Sequence, residues 1–295
     1  MLYFSTDCAG LRSATNKGIK MKVKMNILAA SLLSLGMLAM APGAQAGAIH
    51  DAALFTDNTL PANDDGSTGL VNMGFAINFF GSNYSQLYVN NNGNVTFDNA
   101  LFTYTPFSLL STATPIIAPF FADVDTRGIG SGLTQYGQDT IGGRNVFGVN
   151  WINVGYYGTH TDKLNSFQLI MTDRSDIAAG DFDFEFNFDQ IQWETGDASG
   201  GSGGLGGSCA RAGWSNGVSA SYEIAGSAVC GAFLDGNTSS GLIYNSLNSN
   251  TAGQFIFSVR NGRVVPPNPA PEPASLALLG IGLAGLGAMR RRKTA

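Results

Sequence analysis

The chain reads as all-β: a β-sandwich-like single domain, flanked by an N-terminal signal peptide and a C-terminal transmembrane helix. Three observations lead there. Short runs of alternating apolar residues recur between Gly- and Asn-rich turns. No stretch between Gly47 and Ala270 sustains a 3.6-residue apolar period over several turns. Both ends differ in composition from the middle.

Along the middle, Phe75, Ile77 and Phe79 alternate with Ala76 and Asn78. Leu87 and Val89 lead into Asn91-Asn92-Gly93-Asn94, and Val95 and Phe97 resume beyond it. Asn and Gly tolerate the positive φ of tight turns, so this pair of runs predicts a β-hairpin. Val146–Val154 is rich in strand formers, and Phe167, Leu169 and Met171 share one face of a further strand. The clearest strand is Asp181–Phe188. Phe182, Phe184, Phe186 and Phe188 point one way, and Asp181, Asp183, Glu185 and Asn187 the other. The phenylalanine face requires a core, and the acidic face is expected in solvent, where it would discourage edge-to-edge pairing. Past Asp189 the apolar parity switches to Ile191 and Trp193, which predicts a bulge or a strand end. Phe255, Phe257 and Val259 mark a last strand over Gln254–Arg260, and Asp197–Ser208 is a Gly/Ser-rich surface loop.

The ends read as addresses. Basic residues up to Lys24, an apolar run Ile27–Ala41 and the small residues Ala44 and Ala46 before Gly47 make a secretory signal cleaved after Ala46. Residues 1–46 are thus the signal segment, with 1–20 an over-extended start and Met21 or Met25 the initiator. The domain is expected over 47–263, followed by a Pro-rich linker over 264–273. Ala274–Met289 carries no charge and, at about 1.5 Å rise per residue, spans about 24 Å as a helix. Arg290, Arg291, Arg292 and Lys293 close it and by the positive-inside rule stay cytoplasmic, which places the domain outside.

From Gly47 to Pro271 there are 19 Asp and Glu against 7 Lys and Arg, a net charge of −12. Such a surface repels phosphate backbones, so nucleic acid is excluded as a partner. Cys209 and Cys230 are the cysteines of the exported part, and in an oxidising compartment they read as a disulfide.

Few patterns carry chemistry. Gly200–Gly204 matches a nucleophile elbow, and Gly201, Gly203 and Gly206 match a dinucleotide-binding fingerprint, but no helix start follows either. Asp123-Val124-Asp125-Thr126-Arg127-Gly128 opens like a calcium loop. Arg127 then stands where Asp or Asn belongs and Thr134 where Glu belongs, so an EF-hand is excluded. Asp123 and Asp125 remain candidate ligands of a non-standard Ca²⁺ site. Otherwise they bond loop N–H groups or pair with Arg127. No other cofactor is expected. In the stripe Asp181, Asp183 and Glu185, alternate residues stand about 7 Å apart, too far for all three to share one Ca²⁺. His50 and His160 lack the neighbours a zinc site needs and read as surface residues, with His50 in a stretch of doubtful order near the cleavage site.

Two resemblances follow from particular stretches. Gly74-Phe75, Asn78–Gly81, Leu87–Phe97, Ile117–Asp125, Phe147–Trp151, Asn165–Ile170 and Asp181–Phe186, in that order, resemble the nidogen-type extracellular domain, NIDO. The resemblance implies a β-rich structural or adhesive module of matrix and cell-surface proteins, with no catalytic residues. Pro271-Glu272-Pro273, the apolar Ala274–Met289 and the basic cluster together resemble a PEP-CTERM sorting signal over 271–295. That implies processing by exosortase, a membrane-embedded enzyme of exopolysaccharide-producing Gram-negative bacteria. The chain would then be substrate rather than enzyme, and signal peptidase would be its other processing partner. Exopolysaccharide or other surface proteins are the expected ligands, and the C-terminal helix is the membrane contact before processing. A carbohydrate-binding module is the first alternative: exposed aromatics near a polar loop would favour it, with Trp151, Tyr156 and Tyr157 the candidates, and burial of all three would count against it. A hydrolase with two converging carboxylates is the second.

Overall fold

The computed structural model describes residues 47–266, which form one compact unit. It is all-β. The strands are β1 (Asn58–Thr59), β2 (Val71–Phe79), β3 (Ser82–Asn90), β4 (Asn94–Thr96), β5 (Pro115–Phe121), β6 (Val124–Asp125) and β7 (Thr134–Ile141), followed by β8 (Arg144–Tyr156), β9 (His160–Asp173), β10 (Phe182–Gln190), β11 (Arg211–Asn216), β12 (Ser221–Glu223), β13 (Gln254–Arg260) and β14 (Arg263–Val264). Among the described residues the helical segments are three short 3₁₀ turns, and none is long and apolar enough to cross a membrane. The expected helix over 274–289, the signal segment 1–46, the sorting tripeptide and the basic cluster lie outside the described residues.

The strands make two sheets. One runs β1-β7-β8-β9-β10-β13-β14, with β6 also paired to β8, and the other runs β12-β11-β5-β4-β3-β2. They share one buried core. Ile77, Phe79, Leu87, Val89, Val95, Ile117 and Phe120 come from the second sheet, and Phe147, Val149, Trp151, Phe167, Leu169 and Met171 from the first. The phenylalanine stripe of β10 lies in this core, and Phe184 stacks on Phe257 of β13 at 4.8 Å between ring centres. The parity switch after Asp189 is a register shift against β9 between Phe188 and Gln190.

The sequence pattern passes over β5, Pro-Ile-Ile-Ala-Pro-Phe-Phe, because it does not alternate. It is buried along its whole length, between β4 and β11. Ile117 and Phe120 face the main core, whereas Ile116, Ala118 and Phe121 face a smaller cluster around Leu109. The parity flips at Pro119, where β5 carries one extra residue against β11: Ala118 pairs Gly213 and Phe121 pairs Arg211. A bulge is where a central strand can accept proline, which has no N–H to give the ladder.

The acidic face of β10 is not in solvent. β10 is a central strand, between β9 and β13, and its outer face is covered. The segment Ala48–Phe55 lies across the outside of the first sheet, with Phe55 buried against Val146 and Ile170. His50 Nε2 meets Glu185 Oε1 at 2.9 Å, so His50 is held in place rather than loose. Asp183 receives Arg174 at 2.6 Å and Arg260 at 2.7 Å, and Asp181, 1% exposed, accepts the Asn261 N–H. Arg174 from the preceding turn, and Arg260 and His50 from far along the chain, turn a repulsive stripe into a paired one.

Three predictions rest on the two faces of β10. Phe184→Ala should cost about 3–5 kcal/mol, as large core truncations do. Asp183→Ala should cost about 1–3 kcal/mol, because it removes the carboxylate shared by two largely buried guanidinium groups, leaving Arg174 only Asp176 and Arg260 only backbone carbonyls. Urea titration of both variants checks the pair, and a near-zero effect for Asp183→Ala would contradict its pairing. His50 is shifted upward from its ordinary 6.5, chiefly by its hydrogen bond to Glu185 and against the effect of burial. A raised histidine pKa contributes stability that is fully present below the unfolded value and is lost as pH rises through the folded one. The stability lost in His50→Gln should therefore be larger at about pH 6 than at about pH 8.5, measured as the difference in denaturant midpoint from the wild type.

Candidate functional site

The hairpin read from Asn91-Asn92-Gly93 joins β3 to β4, and its asparagines turn inward. Asn90, Asn91, Asn92 and Asn94 are all buried. The Asn91 amide donates to the carbonyls of Asp64 and Val124, and its oxygen accepts the Thr134 hydroxyl. The Asn91 carbonyl accepts the Trp151 indole N–H at 3.0 Å. Asn92 donates to Asp65 Oδ1 at 2.9 Å and accepts the Val124 N–H at 2.9 Å. Gly93 sits at φ 72°, with the Phe120 carbonyl where a Cβ would stand, so only glycine fits.

This turn draws two loops together. One carries Asn63-Asp64-Asp65-Gly66 and the other Ala122–Arg127. Asp64, Asp65 and Asp123 each present a carboxylate oxygen, all within 4.8 Å of one another. Asp123 is 1% exposed, and neither of its carboxylate oxygens has a hydrogen-bond partner. Asp64 Oδ1 is likewise buried without a partner, while Asp64 Oδ2 meets Arg127 at 2.7 Å. Gly196 lies against the Asp123 carboxylate, where any Cβ would collide with it.

The electrostatics follow from this crowding. Burial first, then the charges of Asp64, Asp65 and Asp125, push Asp123 up to about 7. Burial and the charges of Asp125 and Asp65 push Asp64 up to about 6, with Arg127 partly offsetting them. Asp125 behaves oppositely. Burial would raise it, but it accepts the Arg127 side chain and the N–H groups of Arg127 and Thr159, which hold it below the usual carboxylate range.

Of the two ligand candidates read from the sequence, Asp123 stands in this cluster, whereas the Asp125 oxygens accept from Arg127 and Thr159. Asp64 and Asp65 were not singled out. Paired acids beside a turn glycine were the available signal, but their approach to Asp123 depends on the hairpin between them. Cys209 and Cys230 are joined, and closure of the loop stabilises the fold by about 3 kcal/mol in the chain-entropy description. That bridge and the bonds Ser199 O to Ser208 N and Gly204 O to Glu194 N brace the Gly/Ser-rich segment. His160 lies exposed in its turn, its Nδ1 against the Tyr157 carbonyl. Trp151 and Tyr156 are buried, whereas Tyr157 is exposed, so one of the three candidate rings faces solvent.

A disulfide-closed, two-sheet module with a built polar loop cluster is the class of protein this geometry defines. A family model for the nidogen-like domain matches residues 85–261, and one for the PEP-CTERM protein-sorting motif matches residues 269–293. The chain belongs to the nidogen-like domain family. It is 31% identical over 238 residues to alpha-tectorin of Mus musculus, a match covering 72% of this chain and 10% of that protein. It is 31% identical over 146 residues to nidogen of Drosophila melanogaster, covering 41% and 10%. For nidogen-2 of Mus musculus the values are 29% over 153 residues, covering 42% and 11%. The match thus spans about a tenth of the length of these relatives. No solved structure matches. The two family matches mark an extracellular, exosortase-processed surface protein.

Asn91→Ala removes two donors and one acceptor from buried partners. It should cost at least about 2 kcal/mol, since unsatisfied buried groups bear their full desolvation penalty. Thermal unfolding measures it, and a loss under about 0.5 kcal/mol, the range of ordinary surface changes, would show that the turn is not held by this amide.

Proposed function

We propose that the chain is a non-catalytic, adhesive or structural module of a Gram-negative exopolysaccharide matrix, held in the inner membrane by its C-terminal helix until exosortase removes the tail. The observation that carries this reading is the order of parts: a nidogen-like domain over 85–261, then a PEP-CTERM motif over 269–293. The Pro-rich stretch from Pro266 to Pro273 holds Pro271-Glu272-Pro273 just outside the bilayer, within reach of a membrane-embedded enzyme. Arg290–Lys293 stops translocation, because charges cross hydrocarbon at high cost. Burial of Asp123 supports a non-catalytic role, since a glycosidic bond cannot approach a carboxylate that is 1% exposed.

The test follows the C-terminal peptide of the surface protein by mass spectrometry, in cells with and without an exosortase. The tail should be absent with the enzyme and retained without it. Replacing Pro271–Pro273 by alanines should preserve insertion but slow removal. Retention of Ala274–Ala295 in both strains would make the tail a permanent anchor. Sedimentation of the released protein with purified exopolysaccharide tests the matrix role, and a protein that stays in the supernatant would refute it.

A further inference from the structure

We propose that Asp64, Asp65 and Asp123 form a calcium-binding site beside the β3–β4 turn. This inference does not depend on the adhesive reading. Ca²⁺ takes oxygen ligands at about 2.3–2.6 Å, so two ligands of one ion stand at most about 5 Å apart. The three carboxylate oxygens lie within 4.8 Å of one another and fit that limit. Mg²⁺ demands near-ideal octahedral geometry at about 2.1 Å and gives up its waters reluctantly, so three carboxylates offered from two loops suit the less exacting Ca²⁺ better. All three ligands are hard oxygens, which disfavours zinc.

The independent observation is Asp123 itself. A carboxylate buried to this degree is ordinarily supplied with hydrogen-bond donors or a counter-charge. Both of its oxygens lack a donor, and the buried Asp64 Oδ1 beside it lacks one too. The nearby cation, Arg127, is paired with Asp125 and with Asp64 Oδ2 and forms no ion pair with Asp123. Asn92 fixes one oxygen of Asp65 and leaves the other free to ligate. Gly196 contributes no Cβ, so the Asp123 carboxylate is not displaced from its position. Asp64 and Asp65 are partly exposed and give the ion and its remaining water ligands a way in.

The experiment uses the full chain, purified in detergent and stripped with EGTA, with CaCl₂ and MgCl₂ as probes. Wild-type protein should show a Tm rising by about 3–10 °C, with half-saturation in the range of extracellular calcium modules, about 0.1–1 mM. Magnesium should give under about a third of that rise at the same concentrations, given its tighter geometry. Asp123→Asn should abolish the rise and, in EGTA, melt at or above the wild type, because the amide removes a buried charge repelled by its neighbours. Asp65→Asn should move half-saturation upward at least about tenfold, the effect of losing one charged ligand. Equilibrium dialysis of wild type against radioactive calcium should find one ion per chain. If Asp123→Asn does not fold, Asp65→Asn and the dialysis decide. A wild-type Tm unmoved by calcium, an equal response to magnesium, an unshifted Asp65→Asn titration or absence of a bound ion in dialysis each overturns the site.

Discussion

The polar turn between β3 and β4 is the constraint on which the rest of the domain depends. Buried backbone and amide groups must be paired, because water is not there to pair them. Asparagine meets that need twice over, with two donors and an acceptor on one short side chain. Here the Asn91 amide holds the Asp64 and Val124 carbonyls while its own backbone carbonyl takes the indole of Trp151, so one residue ties two loops to both sheets. Hydrophobic contact alone would hold the sheets together without fixing where these loops lie. Directional bonds from a turn that only glycine can close supply that placement.

Much of the scaffold was legible because strands encode their burial locally. The alternating phenylalanines of β10, the parity switch past Asp189 and the hairpin at Asn91–Gly93 each need only neighbouring residues to be read. β5 was not singled out, because a strand buried on both faces does not alternate. The acidic stripe was misjudged for a different reason. Its alternation correctly sets Asp183 and Glu185 on the face away from the phenylalanines, but the pattern of one strand says nothing about Arg174, Arg260 and His50 arriving from elsewhere. The candidate site has the same limit. Asp123 stood out within its own loop, but Asp64 and Asp65 reach it only through tertiary pairing at the Asn91 turn.

Charge explains why the loop cluster differs from the other acidic surfaces. Six of the seven basic residues between Gly47 and Pro271 are engaged in ion pairs: Arg127, Arg144, Lys163, Arg174, Arg211 and Arg260. Each of Asp125, Asp176, Asp183 and Glu223 thereby gains a cation, whereas Asp123 forms no ion pair despite being among the most buried carboxylates. An exported domain so short of cations has to leave some carboxylates to solvent, to protons or to dissolved metal. Asp123, shielded from solvent, is confined to the last two.

The disulfide and the acidic cluster then act on the same segment. Cys209 and Cys230 close the loop that follows the segment carrying Gly196, which lies against the Asp123 carboxylate. Glu194, at the base of that segment, accepts the Gly231 and Phe233 N–H groups and so fixes the chain on both sides of the bridge. A larger side chain at position 196, or a loop free to drift, would separate the wall of the cluster from its carboxylate. The sheets do not supply this restraint, since Gly196 belongs to no strand. It comes from the Ser199 and Gly201 N–H groups, which donate to the Gly196 carbonyl, with the Cys209–Cys230 link, suited to an oxidising compartment, bracing the far end of the same segment.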